Sequence, residues 1–284
     1  MLGSVTGTGP GGRRRLPHAR PRLAALAAVL SGSMLVGGLL VATGAPAEST
    51  EAPVRGLGPD PLVVAVPDTD RPLLVVPEGP VRERVVIALH GYTGGPDQLR
   101  TGLSADAFAE ELDATVVYPT GLGRRTSWNA GGCCGSAARS DVDDVGFVAR
   151  TIGRLTSQGA RQVALVGYSN GGMLAYRVAC ERPELVDAVA VINASITTAT
   201  CDGSFEALHL AGELDSAVPV QGVDVVPYLF TGFRPLVELP KAAPAADLDI
   251  RVLPGVGHEI APQAHELVAD WLAERLGVLP AGPS

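Results

Sequence analysis

Ser169 stands in Gly167-Tyr168-Ser169-Asn170-Gly171, a serine with a glycine two residues to either side. Four apolar residues, Val163 to Val166, precede it, and Met173, Leu174, Tyr176 and Val178 follow before Pro183. The first run suits a strand covered on both faces and the second segment a helix, so the serine falls on a sharp strand-to-helix turn. Such a turn lifts the hydroxyl out of the sheet, and flanking glycines remove the Cβ atoms that would collide there. A hydroxyl at a helix start also lies beside free backbone amides that can hold an oxyanion, which makes Ser169 a candidate nucleophile. The pentapeptide alone is a weak signal: with 35 glycines among 284 residues it arises by chance in roughly one such chain in five. Its meaning depends on what the rest of the chain supplies.

A serine hydroxyl attacks poorly at neutral pH until a base takes its proton, and an imidazole base needs a carboxylate to hold the right tautomer. The turn therefore calls for an acid and then a histidine downstream, each on a loop beyond a strand. Asp215 follows the apolar run 205–211, and His258 lies in Gly255-Val256-Gly257-His258-Glu259 behind the run 248–253. Of the other histidines, His18 belongs to the N-terminal segment, His90 closes a strand, His209 lies inside one and His265 falls on a helix. Asp202, Asp224, Asp247 and Asp249 also follow Ser169, but Asp215 has the post-strand position. Upstream, the strand 85–89 ends in His90-Gly91-Tyr92-Thr93-Gly94-Gly95. A glycine-rich loop there lets backbone amides approach a ligand, so the N–H groups of Tyr92 and Asn170 are the expected oxyanion donors. Trp128 and Tyr168, with the Tyr92 ring, are candidates for the wall of a small substrate pocket; for Trp128 plain core packing is the competing reading.

Positioning these groups requires a scaffold of alternating elements. Short strands are expected at 62–66 and 73–76, then strands at 85–89, 115–118, 163–166, 188–192, 205–211 and 248–253, with helices over 105–113, 141–155 and 265–276. Residues 119–139 read as a long loop. The alternation predicts an α/β fold with a mostly parallel sheet, helices on both faces, and one domain over 61–284. Asp143 and Asp144 invite comparison with metal ligands, but acids at a helix start complement its dipole, and no metal site is expected. No histidine stands at metal-binding spacing from Cys133, Cys134, Cys180 or Cys201.

The first 47 residues carry five arginines and no acid, then an apolar run over 23–42 and Ala45-Pro46-Ala47. Basic, apolar and small-residue regions in that order predict a cleaved secretory signal peptide, with an uncleaved anchor as the alternative. A flexible linker over 48–60 and an exported, extracellular location follow, and export makes two disulfides among the four cysteines plausible in any of three pairings. Without those five arginines, 17 basic side chains face 30 acidic ones, a net charge of about −13. That balance argues against nucleic acid as a partner, and leaves the membrane only through residues 1–47.

Several of these stretches together resemble a known group. Leu89-His-Gly-Tyr-Thr-Gly-Gly95, Tyr118-Pro-Thr-Gly121, Trp128-Asn-Ala-Gly-Gly-Cys-Cys-Gly135, Val142-Asp-Asp-Val-Gly-Phe147, Gly167-Tyr-Ser-Asn-Gly-Gly-Met173 and Gly257-His258 are similar, in that order, to the polyhydroxybutyrate depolymerase and feruloyl esterase group of secreted α/β-hydrolases, related to carbohydrate esterase family 1. The resemblance spans nearly all of the chain beyond residue 47. It implies a serine esterase without cofactor, with Ser169 as nucleophile, Asp215 as acid and His258 as base, acting on a small ester, a polysaccharide-linked ester or a polyester. Many members continue the histidine motif as Gly-His-x-Trp, whereas this chain has Gly257-His258-Glu259-Ile260, and residues 218–244 have no counterpart in the pattern. A non-catalytic binding protein of the same fold and a small peptidase remain the competing classes.

Overall fold

Val85, Ile87 and Leu89 alternate with Val86 and Ala88, and all five are buried, so this segment can only be a strand covered on both sides. The computed structural model describes residues 62–65, 71–224 and 232–278; the segments expected to be a signal peptide and linker lie outside them. Its strands are β1 (Leu62–Ala65), β2 (Pro72–Val76), β3 (Arg84–Leu89), β4 (Ala114–Pro119), β5 (Gln162–Tyr168), β6 (Ala188–Ile192), β7 (Glu206–Gly212) and β8 (Asp247–Leu253). They form one eight-stranded sheet in the order β1-β2-β4-β3-β5-β6-β7-β8. β1 and β2 pair antiparallel at one edge, and every pairing from β4 through β8 is parallel.

The main helices are α1 (Pro96–Gly102), α2 (Phe108–Glu111), α3 (Gly135–Arg139), α4 (Asp144–Ser157), α5 (Asn170–Glu181), α6 (Leu239–Ala242) and α7 (Ala264–Arg275). The strand alternation sorts them into two layers. Val85, Ile87 and Leu89 belong to the core built with Phe147, Val148 and Ile152 of α4 and Leu174, Tyr176 and Val178 of α5. Val86 and Ala88 belong to the opposite core, with Leu99 of α1, Phe108 of α2 and Val268, Trp271 and Leu272 of α7.

Departures from the sequence reading are local. The helix expected over 105–113 is a 3-10 turn at Ala105–Ala107 followed by the four-residue α2, and the loop 119–139 ends in α3. Residues 96–102, unassigned from sequence, form α1, with Gly95 as N-cap and Pro96 as its first residue. Asp143 is the expected cap, its Oδ1 accepting the Gly146 N–H at 2.7 Å. Asp144 does more than complement a dipole: it is fully buried, paired with the Arg71 guanidinium, and accepts the Asn129 N–H at 2.6 Å. Burial raises its carboxyl above the ordinary range, with the Asn129 amide and Arg71 opposing that rise.

The cysteines pair as Cys133–Cys134 and Cys180–Cys201. The second bridge ties the end of α5 to the segment after β6, with Cα atoms 4.6 Å apart and a sequence separation of 21. Closing a loop of that length restricts the unfolded chain by about 3 kcal/mol. Cys180→Ser/Cys201→Ser should lose that much unfolding free energy in urea; an unchanged midpoint would show that the bridge contributes nothing.

His209 on β7 is buried against Tyr176 of α5, Nδ1 to Oη 2.8 Å. Burial lowers its pKa from 6.5 to about 4. Above pH 6.5 the ring is neutral whether the chain is folded or not. Below it, the unfolded chain takes up a proton that the folded chain refuses, so stability falls as pH drops towards 4, by on the order of 3 kcal/mol. Buried His90 is shifted in the same direction. Urea unfolding at pH 7.5 and 4.5 should therefore show a steeper acid loss for wild type than for His209→Gln; identical slopes would remove His209 from the account.

Candidate active site

Three loops at the carboxyl ends of parallel strands converge, where an open α/β sheet places its ligands. β5 runs directly into Ser169, which has φ 51° and ψ −119° and donates its N–H to Ile192 O at 2.8 Å. A non-glycine residue in that backbone region is strained and persists only because its surroundings hold it. The glycines explain how the turn fits. A Cβ on Gly167 would lie 2.5 Å from Gly172 N, and one on Gly171 would run into the carbonyl oxygens of Leu89 and His90.

Asp215, behind β7, is buried, and its Oδ1 accepts the N–H groups of Ala217 and Val218, both at 2.8 Å. Its Oδ2 lies 2.7 Å from His258 Nδ1, and His258 Nε2 lies 2.9 Å from Ser169 Oγ. With Nδ1–H donating to the carboxylate, Nε2 is left as the acceptor for the serine proton. Ser169, His258 and Asp215, chosen on sequence from different loops, are thus one hydrogen-bonded chain.

The histidine loop is held by Asn193, which the sequence reading did not single out, and by Tyr168, expected there only as a pocket wall. Buried Asn193, at the end of β6 with φ 50°, donates through Nδ2 to Gly257 O at 3.2 Å and Glu259 O at 2.8 Å. Its Oδ1 accepts the Gly212 N–H at 2.8 Å, which couples the Asp215 and His258 loops. Tyr168 donates its hydroxyl to His258 O. Burial first, then the charges of Asp215 and Glu259, push that phenol up to about 12, so it keeps its proton and its role as donor.

The glycine loop after β3 reaches Ser169 from the other side. Gly91 N–H is taken by Gln98 Oε1 at 2.7 Å, Thr93 N–H by Thr126 O at 2.8 Å, and Gly94 N–H by Gly91 O at 3.0 Å. Tyr92 N–H makes no such bond among the described residues. Asn170 opens α5, so its N–H has no acceptor within the helix. Its side chain is already engaged, exchanging bonds with the Trp128 backbone at 2.8 and 3.0 Å.

A cavity of about 710 Å³ opens over Ser169 and His258. Tyr168 and the Tyr92 residue line it as expected; Trp128 does not. The indole is fully buried, 4.9 Å from the His90 ring and stacked at 6.3 Å on Phe147, and it donates Nε1–H to His90 O at 2.9 Å. Trp128 is therefore a pillar beneath the glycine loop and not a pocket wall. The apolar wall comes from Met173, Val218 and Phe233, with Cys134 of the adjacent-cysteine bridge. Met173 was legible in principle, since it sits four residues after Ser169 and returns to the same helix face. Among the described residues no cluster of side chains is arranged to hold a metal ion.

No protein-family model matches the chain. It is 27% identical over 161 residues to NocK of Nocardia uniformis subsp. tsuyamanensis, which carries an esterase designation, covering 54% of this chain and 45% of that one. It is 29% identical over 123 residues to a homoserine O-acetyltransferase of Deinococcus radiodurans, covering 41% and 36%. The matched part spans less than half the length of either relative. Among solved structures it is similar to a carboxylesterase from Mesorhizobium loti (19% identity, TM-score 0.53, 75% of this chain and 99% of that one). A Bacillus cereus carboxylesterase aligns at TM-score 0.54 (14% identity, 73% and 96%), and Atu2452 from Agrobacterium tumefaciens str. C58, of unknown function, at 0.53 (25% identity, 69% and 93%). The chain has the α/β-hydrolase fold.

Proposed function

We propose that the protein is a serine esterase that cleaves carboxylic esters through an acyl-enzyme. The observation that carries this reading is the chain from Ser169 Oγ to His258 Nε2 at 2.9 Å and from His258 Nδ1 to Asp215 Oδ2 at 2.7 Å, mounted on a strained turn at the mouth of a cavity. Ser169 attacks the ester carbonyl while His258 takes its proton; the Tyr92 and Asn170 amides face the oxyanion; His258 then protonates the departing alcohol. Water, activated by His258, attacks the acyl-enzyme, releases the acid and restores Ser169. No cofactor takes part.

The ordered motifs support placing the substrate range with that of polyhydroxybutyrate depolymerases and feruloyl or acetylxylan esterases, and the basic-apolar N-terminal segment supports export. A binding protein of the same fold would have no use for an aligned serine, histidine and carboxylate. The test is a hydrolysis panel of methyl ferulate, acetylated xylan, polyhydroxybutyrate and 4-nitrophenyl esters of increasing acyl length. Turnover of at least one ester is expected, and no turnover of any would remove the esterase reading.

A further inference from the structure

We propose that the substrate of this site is an ester that also carries a free carboxylate, and that Arg125 and Arg139 bind that carboxylate. The inference rests on the esterase reading and concerns which ester the cavity takes. Acids outnumber bases in the chain, 30 to 22, yet no Asp or Glu side chain lines the cavity over Ser169, and the charged residues that do are Arg125 and Arg139. Elsewhere among the described residues, Arg71, Arg82, Arg100, Arg177 and Arg275 lie against carboxylates. Arg125 and Arg139, like Arg124 and Arg234 outside this cavity's lining, have neither an ion pair nor a side-chain hydrogen bond among those residues.

The two arginines come from segments packed against each other. Leu122 and Ser127 close a small antiparallel bridge that presents Arg125, and Thr93 N–H to Thr126 O, 2.8 Å, ties that bridge to the glycine loop. α3 ends in Arg139 and packs on the bridge so tightly that a Cβ on Gly135 would lie 2.9 Å from Ser127 Oγ and 2.7 Å from the Tyr92 ring. Met173, Val218 and Phe233 supply an apolar part of the wall, with Gln98, Tyr92 and Tyr168 also in the lining. A cavity whose lining holds an apolar part, two guanidiniums and a nucleophile fits an amphiphilic anion. A neutral ester would leave both guanidiniums to water, whereas a carboxylate can take paired, charge-assisted hydrogen bonds from them.

The test uses two matched pairs, so that the carboxylate is tried on each side of the scissile bond. One is mono-4-nitrophenyl adipate against 4-nitrophenyl hexanoate; the other is 4-acetoxybenzoate against 4-methylphenyl acetate. In at least one pair, the ratio of kcat/KM for the anionic to the neutral ester should fall roughly ten-fold or more in Arg125→Gln/Arg139→Gln. The same ratio in wild type should shrink in 0.5 M NaCl, through screening. Arg124→Gln removes one charge next door to Arg125 but outside the cavity lining, and should keep the wild-type ratio. Ratios unchanged by the double substitution in both pairs, or lowered equally by Arg124→Gln, would overturn the assignment while leaving the esterase reading in place. Absence of hydrolysis of all four esters would instead remove the esterase reading itself.

Discussion

Ser169→Ala should lower kcat for 4-nitrophenyl acetate on the order of 10⁴-fold or more while the protein stays folded. The serine Oγ makes its one hydrogen bond to His258 Nε2, and the strained turn is set by the backbone, by Gly167 and Gly171, and by the Ser169 N–H to Ile192 O bond. Alanine keeps all of these and removes the atom that would form the covalent bond. The residual rate would come from the two amides and from binding alone. An unchanged thermal midpoint alongside the lost activity separates chemistry from unfolding. A variant retaining a tenth of wild-type kcat would mean that the hydrolysis takes place through some other group.

Asp215→Asn should cost nearly as much, about 10³- to 10⁴-fold in kcat with little change in KM. The geometry specifies why. Oδ1 is held by the Ala217 and Val218 amides, so an asparagine would keep its carbonyl there and turn its NH2 towards His258 Nδ1. The imidazole would then have to present a lone pair at Nδ1 and carry its proton on Nε2, where it can no longer accept the proton of Ser169. Flipping the amide to rescue the tautomer would set its NH2 against two backbone donors in a buried position, an unfavourable exchange. A kcat within ten-fold of wild type would show that Asp215 does not set the tautomer.

The parts of this site that were legible in the sequence are those imposed by local rules. A buried strand, a glycine-flanked serine and a helix start at Asn170 require no long-range knowledge, and Asp215 and His258 could be chosen because each follows a segment that reads as a strand. The strand at 188–192 was readable because burial on both faces leaves an unbroken apolar signature, and that at 248–253 because Leu248, Ile250 and Val252 alternate with Asp249 and Arg251. What escaped was set by contacts between distant segments. Trp128 and Tyr168 are both aromatics near the motifs, and nothing local says that the indole turns inward to hold His90 O while the phenol faces the cavity. Asn193 reads as an ordinary turn residue until the loops on either side of it are brought together. Asp144 reads as a helix-start acid until Arg71, 73 residues away, is placed against it. The edge order β1-β2-β4 depends on antiparallel register, which no periodicity encodes.

The most direct test of the central claim is covalent. Incubation with a fluorophosphonate probe followed by intact-mass and peptide mapping should give one adduct per chain, located on the peptide that contains Ser169, with no adduct on Ser169→Ala and slowed labelling of Asp215→Asn. Equal labelling of wild type and Ser169→Ala, or an adduct confined to another serine, would contradict the account.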